Sequence, residues 1–149
     1  MQVVKFDNSN GRYGWAGVSV KEYPASETRA KGVCKHVLFD REHELDSELR
    51  YFEVAPGGYS ALERHEHTHG VLVLRGRGRV VLGDQVRLIA EHDLVYVPSN
   101  TLHQFHADID SHLGFLCLVN TERDRPQRVR EEDIAELTNN PTVAATIKY

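Results

Sequence analysis

Alternating apolar and polar positions run through the middle of the chain, from residue 33 to residue 120. Short runs rich in β-branched and aromatic residues follow one another at 33–39, 49–54, 70–74, 79–82, 86–89, 94–97, 103–106 and 113–119. Turn residues separate these runs, and Gly83-Asp84 between two of them is a two-residue hairpin signal. No helical period intervenes, so the pattern predicts an all-β sandwich or barrel.

The ends of the chain have a different pattern. Turn residues at 8–11 and 23–26 predict an N-terminal arm over residues 1–32, lying on the surface of a barrel over 33–120. Residues 121–149 form a charged linker and then a short helix, because Ile134, Leu137 and Val143 follow three acidic residues at roughly helical spacing. Asn140-Pro141 would end that helix and start a last short turn. We expect the tail to pack on the barrel, giving one domain overall.

Composition excludes several classes of function. The 149 residues include 22 acidic and 18 basic side chains, for a formal charge of −4, so the clustered basic excess of a nucleic-acid binder is missing. No apolar run reaches the roughly 20 residues of a membrane span, and the N-terminus lacks the apolar core of a signal peptide. Two cysteines make no disulfide framework. These features predict a soluble cytoplasmic protein that binds neither nucleic acid nor membrane.

Histidine is over-represented and clustered. Of nine histidines, six lie within 42 residues, namely His65, His67, His69, His92, His103 and His106. Because histidine is the commonest metal ligand and titrates near neutrality, the cluster indicates a metal site or an acid–base site. We interpret His92 as a turn residue. Four further histidines are interpreted as surface or hydrogen-bonded side chains, namely His36, His43, His106 and His112.

Two motifs resemble those of the cupin superfamily. The first cupin motif runs from one glycine to another through three ligand positions, and Gly57 and Gly76 fit its ends without a gap. The second motif is matched by residues 98–103, which end in a histidine. The resemblance covers about half of the chain. It implies a cupin double-stranded β-helix, a jelly-roll barrel, and a metal held by four residues: Glu63, His65, His69 and His103.

The match has departures. Glu63 stands where the family usually has histidine, and His69 stands where it usually has glutamate, so the set keeps three imidazoles and one carboxylate. His67 has the same strand parity as His65 and is an alternative to His69. On a straight strand His65 and His69 would lie ~13 Å apart, too far for two bonds of ~2 Å to one ion. The chain must therefore bend around residues 66–68 if His69 is a ligand.

Such a ligand set suits one divalent first-row ion with open positions for a substrate. We expect Mn²⁺, with Fe²⁺, Ni²⁺, Co²⁺ and Zn²⁺ as alternatives. An ion of this kind would polarise the carbonyl of a small anionic substrate, and a proton-transfer group is then needed nearby. Cys117 should face the barrel interior and is our first candidate, although a buried core cysteine is the simpler interpretation. Tyr59 is a second candidate catalytic residue.

A narrower resemblance concerns residues 51–58, 62–65, 103–105 and 113–127, which look like the small cupins that act on methylthio-xylulose 5-phosphate. Those enzymes use Mn²⁺ and release methanethiol, leaving a deoxyxylulose phosphate. The resemblance therefore implies a metal-dependent lyase or isomerase acting on a sugar phosphate. A non-haem Fe(II) dioxygenase and a small-molecule-binding cupin without catalysis are the alternatives. Because cupins commonly pair through sheet edges, we expect a homodimer.

Overall fold

The computed structural model describes residues 3–24, 28–127 and 129–149. In the described ranges, ten strands precede two short helices. The strands are β1 (Phe6–Asp7), β2 (Gly14–Trp15), β3 (Val20–Tyr23), β4 (Lys31–Phe39), β5 (Ser47–Tyr59), β6 (His69–Leu82), β7 (Gln85–Ala90), β8 (Leu94–Val97), β9 (His103–Ala107) and β10 (Leu113–Asn120). A 3₁₀ turn at Arg41–His43 joins β4 to β5, and the helices are α1 (Glu131–Leu137) and α2 (Pro141–Thr146).

Antiparallel pairing closes the strands into a jelly-roll barrel. The path of paired strands is β10-β6-β9-β5-β4-β3, and β7 and β8 also pair with β6. An additional pairing of β10 with β5 closes one side. The predicted all-β barrel with a helical tail is therefore confirmed, and the Gly83-Asp84 hairpin connects β6 to β7 as expected.

One predicted break between strands is wrong. The sequence pattern predicts separate strands at 70–74 and 79–82, but β6 runs through Gly76-Arg77-Gly78 between them without interruption. The first half of β6 pairs with β8 and the second half with β7 and β9, so the strand bends from one sheet into the other. Gly76 has φ +68°, and a Cβ there would lie 2.0 Å from the carbonyl oxygen of His112. The glycine thus allows a bend within a strand rather than a turn between two strands.

The N-terminal segment contains three short strands. β1 and β2 pair with each other, Phe6 packs on Trp15, and Trp15 packs on Tyr51 on the outer face of β5. β3 pairs with β4 and so belongs to the main sheet. The loop predicted at 23–26 lies partly outside the described residues.

Two apolar clusters form the core. The larger one fills the barrel between its sheets and includes Val54, Val73 and Leu113. The smaller one joins the barrel to the tail, where Leu137, Val143 and Ile147 pack on barrel residues. Asn140 caps α2 by accepting a hydrogen bond from Thr142 N at 2.9 Å, as the Asn-Pro signal predicts. The tail therefore packs against the outer face of β6, since Val81 belongs to this cluster and its neighbour Val80 to the larger one.

Neither helix in the described part of the chain is long and apolar enough to cross a membrane.

Candidate metal centre

A cavity of about 780 Å³ opens at one end of the barrel. The inward-facing side chains of β3, β4, β5 and β10 line its walls, together with the segment before β6 and the linker after β10. Its lining includes the four predicted ligands, Cys117 and a group of basic side chains. This is where the structure brings the sequence-predicted chemistry together.

Three imidazoles meet at the inner end of this cavity. One ring nitrogen from each of His65, His69 and His103 lies within 4.8 Å of the others, and all three side chains are buried. The rings of His65 and His69 stack with centroids 4.3 Å apart, and the His103 ring stands edge-on to both. β9 supplies His103 and the start of β6 supplies His69, so the barrel topology gathers residues that are distant in sequence.

Two of these rings are oriented by backbone carbonyls. His65 Nδ1 lies 2.7 Å from the carbonyl oxygen of His67, and His103 Nδ1 lies 2.8 Å from that of Thr101. Because a carbonyl accepts only, each Nδ1 carries the proton and each Nε2 carries a lone pair. His65 Nε2 is buried and has no hydrogen-bond partner among the described residues. A buried nitrogen with an unpartnered lone pair is free to bind a metal ion.

Burial keeps the imidazoles neutral. Desolvation lowers the pKa of His69 to about 2, with the neighbouring His103 adding to the shift. Desolvation likewise lowers the pKa of His103 to about 4. Neutral imidazole is the form that binds a metal, so all three rings are ready to donate lone pairs at pH 7.

The bend that brings His69 beside His65 is present and is held by Asp124. The chain bends at Glu66 and His67, between the two ligands. Asp124 accepts hydrogen bonds from the backbone N–H groups of both residues, at 2.8 Å and 3.0 Å. Although burial alone raises the pKa of Asp124, these hydrogen bonds and the His67 side chain bring it well below its usual range. Sequence reasoning missed Asp124 because it follows the bend by 57 residues.

The His67 side chain also points toward the histidine cluster, but its ring contacts Asp124 and His69. Its Nδ1 lies 2.7 Å from Asp124 Oδ1 and its Nε2 lies 3.2 Å from His69 Nε2. It does not belong to the group of three close imidazoles. The geometry therefore favours His69 over His67, and gives His67 a position beside the centre.

Glu63 lies next to His103. The two residues exchange both backbone hydrogen bonds, at 3.2 Å and 3.0 Å, which puts their side chains on the same side of the pair. The Glu63 carboxylate lines the cavity, although it is not within the group of three close imidazoles. Burial raises the pKa of Glu63 to about 7, and Arg50 opposes the shift. Its role as the fourth ligand remains our prediction.

Cys117 faces the barrel interior and touches the histidine cluster. Its Sγ lies 3.4 Å from His69 Nδ1, and Arg50 donates a hydrogen bond to it at 3.2 Å. Arg50 and Cys117 are directly opposite each other in the pairing of β5 with β10. Burial raises the pKa of the Cys117 thiol, and the Arg50 guanidinium partly offsets that shift. The sulfur is thus buried, held from two sides and adjacent to a candidate metal ligand.

Tyr59 is not at this centre. It lines a separate cavity with Arg29 and Tyr149, and its ring packs against His106. The expectation that Tyr59 acts on the substrate gains no support from this position, because the residue is missing from the wall of the main cavity. We therefore leave it out of the proposed chemistry.

The residues present fit a divalent transition metal. Three neutral imidazoles converge, one of their nitrogens has no partner among the described residues, and the Glu63 carboxylate lines the same cavity. Imidazole and carboxylate suit Mn²⁺, Fe²⁺, Co²⁺, Ni²⁺ and Zn²⁺ alike, so the donor set indicates a divalent ion without selecting one.

Comparison with known proteins agrees with this architecture. Residues 50–119 match the family described as Cupin domain. The 1-methylthio-D-xylulose 5-phosphate methylsulfurylase of Rhodospirillum rubrum is 47% identical over 135 residues, which are 90% of this chain and 86% of that protein.

Two solved structures are also similar. A cupin-2 domain from Rhodospirillum rubrum superposes with a TM-score of 0.86 at 48% identity, covering 90% of both chains. A cupin 2 conserved barrel domain protein from Rhodopseudomonas palustris superposes with a TM-score of 0.90 at 40% identity, covering 99% of this chain and 100% of that one. With the barrel and the histidine cluster already described, these matches show that the chain belongs to the cupin superfamily.

Proposed function

We propose that this protein is a metal-dependent cupin enzyme that removes a methylthio group from a methylthio-ketose phosphate. The observation that carries the proposal is the contact of a buried thiol, Cys117, with a candidate metal ligand, His69, in one cavity. The 47% identical relative from Rhodospirillum rubrum is named as a methylsulfurylase of 1-methylthio-D-xylulose 5-phosphate, which is such a substrate. A cavity of about 780 Å³ is large enough for a five-carbon sugar phosphate.

His65, His69 and His103 would hold the cation, with Glu63 as the fourth ligand. A divalent ion bound there supplies Lewis-acid polarisation of the substrate carbonyl. The chain's own residues have separate tasks. The carbonyl oxygens of His67 and Thr101 fix two of the imidazoles, and Asp124 keeps the bend closed.

Cys117 is the residue that would act on sulfur. Its thiolate attacks the thioether sulfur, an S–S bond forms, and the C–S bond breaks with its electron pair going to carbon. That carbon, stabilised as an enolate by the adjacent carbonyl, then takes up a proton. A low-molecular-weight thiol reductant must reduce the resulting disulfide, releasing methanethiol and regenerating Cys117. Arg50 donates to the sulfur and so stabilises its anionic form before the attack.

Trapping the thiol tests this function. The metal-loaded protein is incubated with 1-methylthio-xylulose 5-phosphate without a reductant and is then analysed by intact-mass spectrometry. We expect Cys117 to gain one methylthio group in place of hydrogen, and the ketose to lose it. The variant Cys117→Ser should give neither product, while its metal content stays that of the wild type. Cys34→Ser is the matched control, because Cys34 is buried but does not line the cavity.

The competing functions have distinct signatures in the same preparation. Oxygen uptake with Fe²⁺ and no sulfur release would favour a dioxygenase. Substrate binding without turnover under any divalent metal would favour a non-catalytic binding cupin. Mn²⁺ as the native metal and a homodimeric assembly stay predictions, and native mass spectrometry with metal analysis of the purified protein checks both.

A further inference from the structure

Part of the cavity wall is strongly cationic, although the chain is acidic overall. The basic side chains that line the cavity are Lys21 on β3, Lys35 on β4, Arg50 on β5, and Arg123 and Arg125 on the linker after β10. None of them is a metal ligand candidate. We call this group the cationic wall.

Strand register places these charges side by side. Lys21 and Lys35 are direct cross-strand partners in the pairing of β3 with β4. Lys35 is in turn the partner of Phe52, and Arg50 lies over the Phe52 ring, 5.2 Å from its centroid. Like charges directly opposite each other destabilise a sheet, so this arrangement costs free energy unless an anion lies among them.

The protein itself supplies too little negative charge here. Glu48 pairs with Arg123 at 2.8 Å and lies 3.6 Å from Arg50 Nε. Within the described ranges, no carboxylate oxygen lies within 4 Å of the Lys21 or Lys35 ammonium. Arg50 Nε is buried and lacks a hydrogen-bond partner in the described part of the chain.

The charge excess acts on Lys35. Burial lowers the pKa of the Lys35 ammonium, and the neighbouring Arg50 lowers it further, while Glu48 opposes both effects. Lys35 is half-buried, so its charge is poorly screened by water. A dianion placed against Lys35 would relieve this repulsion, because it would bring negative charge close to both Lys35 and the Arg50 charge that acts on it.

We propose that the cationic wall is the subsite for the phosphate dianion of the substrate, with Lys35 as its principal ligand and Lys21 and Arg50 beside it. The proposal rests on the proposed function, because it assumes a phosphorylated ketose. Arg50 connects the two ends of the site, since its Nη2 donates to Cys117 Sγ and its guanidinium lies over the ring of Phe52, the cross-strand partner of Lys35. One substrate can then present its sulfur to Cys117 and its phosphate to Lys35.

Binding by isothermal titration calorimetry tests the subsite without requiring turnover. The metal-loaded wild type is titrated with xylulose 5-phosphate, with xylulose and with inorganic phosphate. We expect the phosphorylated sugar to bind more tightly than the free sugar. Lys35→Met should weaken xylulose 5-phosphate about ten- to a hundredfold and leave xylulose unchanged, which is the expected loss of one charge-assisted hydrogen bond. Lys31→Met is the matched control, because Lys31 is on the same strand but outside the cavity.

The same titrations distinguish a site for the phosphate group of a sugar from a site for free inorganic phosphate. If the site recognises a phosphate monoester as part of the sugar, inorganic phosphate should compete weakly and only at high concentration. Tight inorganic phosphate binding with no preference for the phosphorylated sugar would overturn the assignment to the substrate. Lys35→Arg should retain much of the affinity lost in Lys35→Met. Lys21→Met, on the exposed neighbour, should show a smaller loss of the same sign and serves as the test if Lys35→Met does not fold.

Failure of the subsite and failure of the proposed function give different results. Lys35-dependent preference for xylulose 5-phosphate, without turnover of a methylthio-ketose phosphate, supports the subsite and removes the proposed reaction. Turnover with an unchanged KM in Lys35→Met overturns the subsite and keeps the reaction. If the subsite and the proposed reaction are both correct, Lys35→Met should raise KM about ten- to a hundredfold and change kcat little.

Discussion

The two faces of strand β5 both carry buried polar groups, but these groups differ in whether they have hydrogen-bond partners. On the outer face, the Glu53 carboxylate accepts hydrogen bonds from the Tyr51 hydroxyl and from Arg75, both at 2.8 Å. On the inner face, Arg50 has a buried Nε without a partner in the described residues, and across the cavity the same is true of His65 Nε2. The outer group is complete within the protein, whereas the inner group is not.

The difference separates structural polar groups from functional ones. Satisfied buried groups fix one arrangement of the chain, and on the outer face they hold the β1–β2 hairpin against β5. Unsatisfied buried groups cost free energy until something binds them. One outer atom, His36 Nδ1, also lacks a partner, and it lies beside the aromatic rings of Trp15 and Tyr51. On the inner face the unpartnered atoms instead converge on a cavity.

Removing an inner imidazole should have the largest effect. His65→Ala removes a nitrogen that has no hydrogen-bond partner among the described residues and is a candidate metal ligand. Metal affinity should therefore fall by more than the ten- to hundredfold typical of losing a residue that only hydrogen-bonds to a ligand. Metal analysis after loading and dialysis measures this, and urea unfolding of the metal-free protein should change far less. His43→Ala is the control, on an exposed 3₁₀ turn. Stoichiometric metal retained by His65→Ala would remove this residue from the centre.

The inner carboxylate should make the metal-free protein sensitive to pH. The folded pKa of Glu63, about 7, lies above the ordinary value of 4.5, so the native state binds more protons than the unfolded chain between these values. Its contribution is therefore present below about pH 4.5 and is lost as the pH rises to 7, a cost of about 3 kcal/mol. Urea unfolding of the chelator-treated wild type and of Glu63→Gln measures the difference between their free energies of unfolding. Between pH 4.5 and pH 7 this difference should shift by that amount in favour of the variant.

All other ionisable groups are the same in these two proteins, so their contribution cancels in the comparison. Parallel stability curves for the wild type and Glu63→Gln across this pH range would contradict the raised pKa.

Loosening the bend should weaken the metal without unfolding the barrel. Asp124→Ala removes the acceptor of the Glu66 and His67 backbone N–H groups, so His65 and His69 lose their fixed separation. We expect metal affinity to fall about ten- to a hundredfold, measured by competition with a fluorescent chelator. Asp110→Ala, an exposed aspartate paired only with Arg77, should leave the affinity unchanged. Equal affinities for both variants would show that the bend holds itself.

The outer face should respond in stability and not in metal binding. Glu53→Gln keeps the shape of the side chain but removes the charge that Arg75 pairs with, so the free energy of unfolding should fall by about 1.5 kcal/mol. Metal affinity should stay at the wild-type value. If Glu53→Gln instead lowered metal affinity and left the free energy of unfolding unchanged, the structural role assigned to the outer face would be wrong.

The barrel was readable from the sequence because its signals are local. Alternating apolar positions and the Gly83-Asp84 turn identify strands and a hairpin without knowledge of their partners. The error at Gly76 has a physical cause, because a glycine with positive φ serves a bend within a strand as well as a turn between strands. Local patterns do not distinguish the two uses.

The histidine cluster was readable in part. Motif spacing selected His65, His69 and His103, and the required bend between the first two was anticipated. Asp124, which holds the bend, lies in a linker whose docking depends on tertiary structure. Lys35 and Arg50 were missed for a related reason, since a charged residue alternating with apolar ones normally indicates a solvent-facing side chain. Here the charged positions share the inner face with Val33 and Phe52.

The direct opposition of Arg50 and Cys117 on β5 and β10 has an evolutionary consequence. Strand register is preserved by substitutions but not by an insertion or deletion of a single residue, which would exchange the two faces of a strand. Such a slip in β10 would turn the thiol toward the outside and bring the neighbouring Leu116 into the cavity. A change in the length of the paired segments would therefore move Cys117 away from Arg50 and His69 in one mutational step, and the thiol on which the proposed function rests would be lost from the cavity.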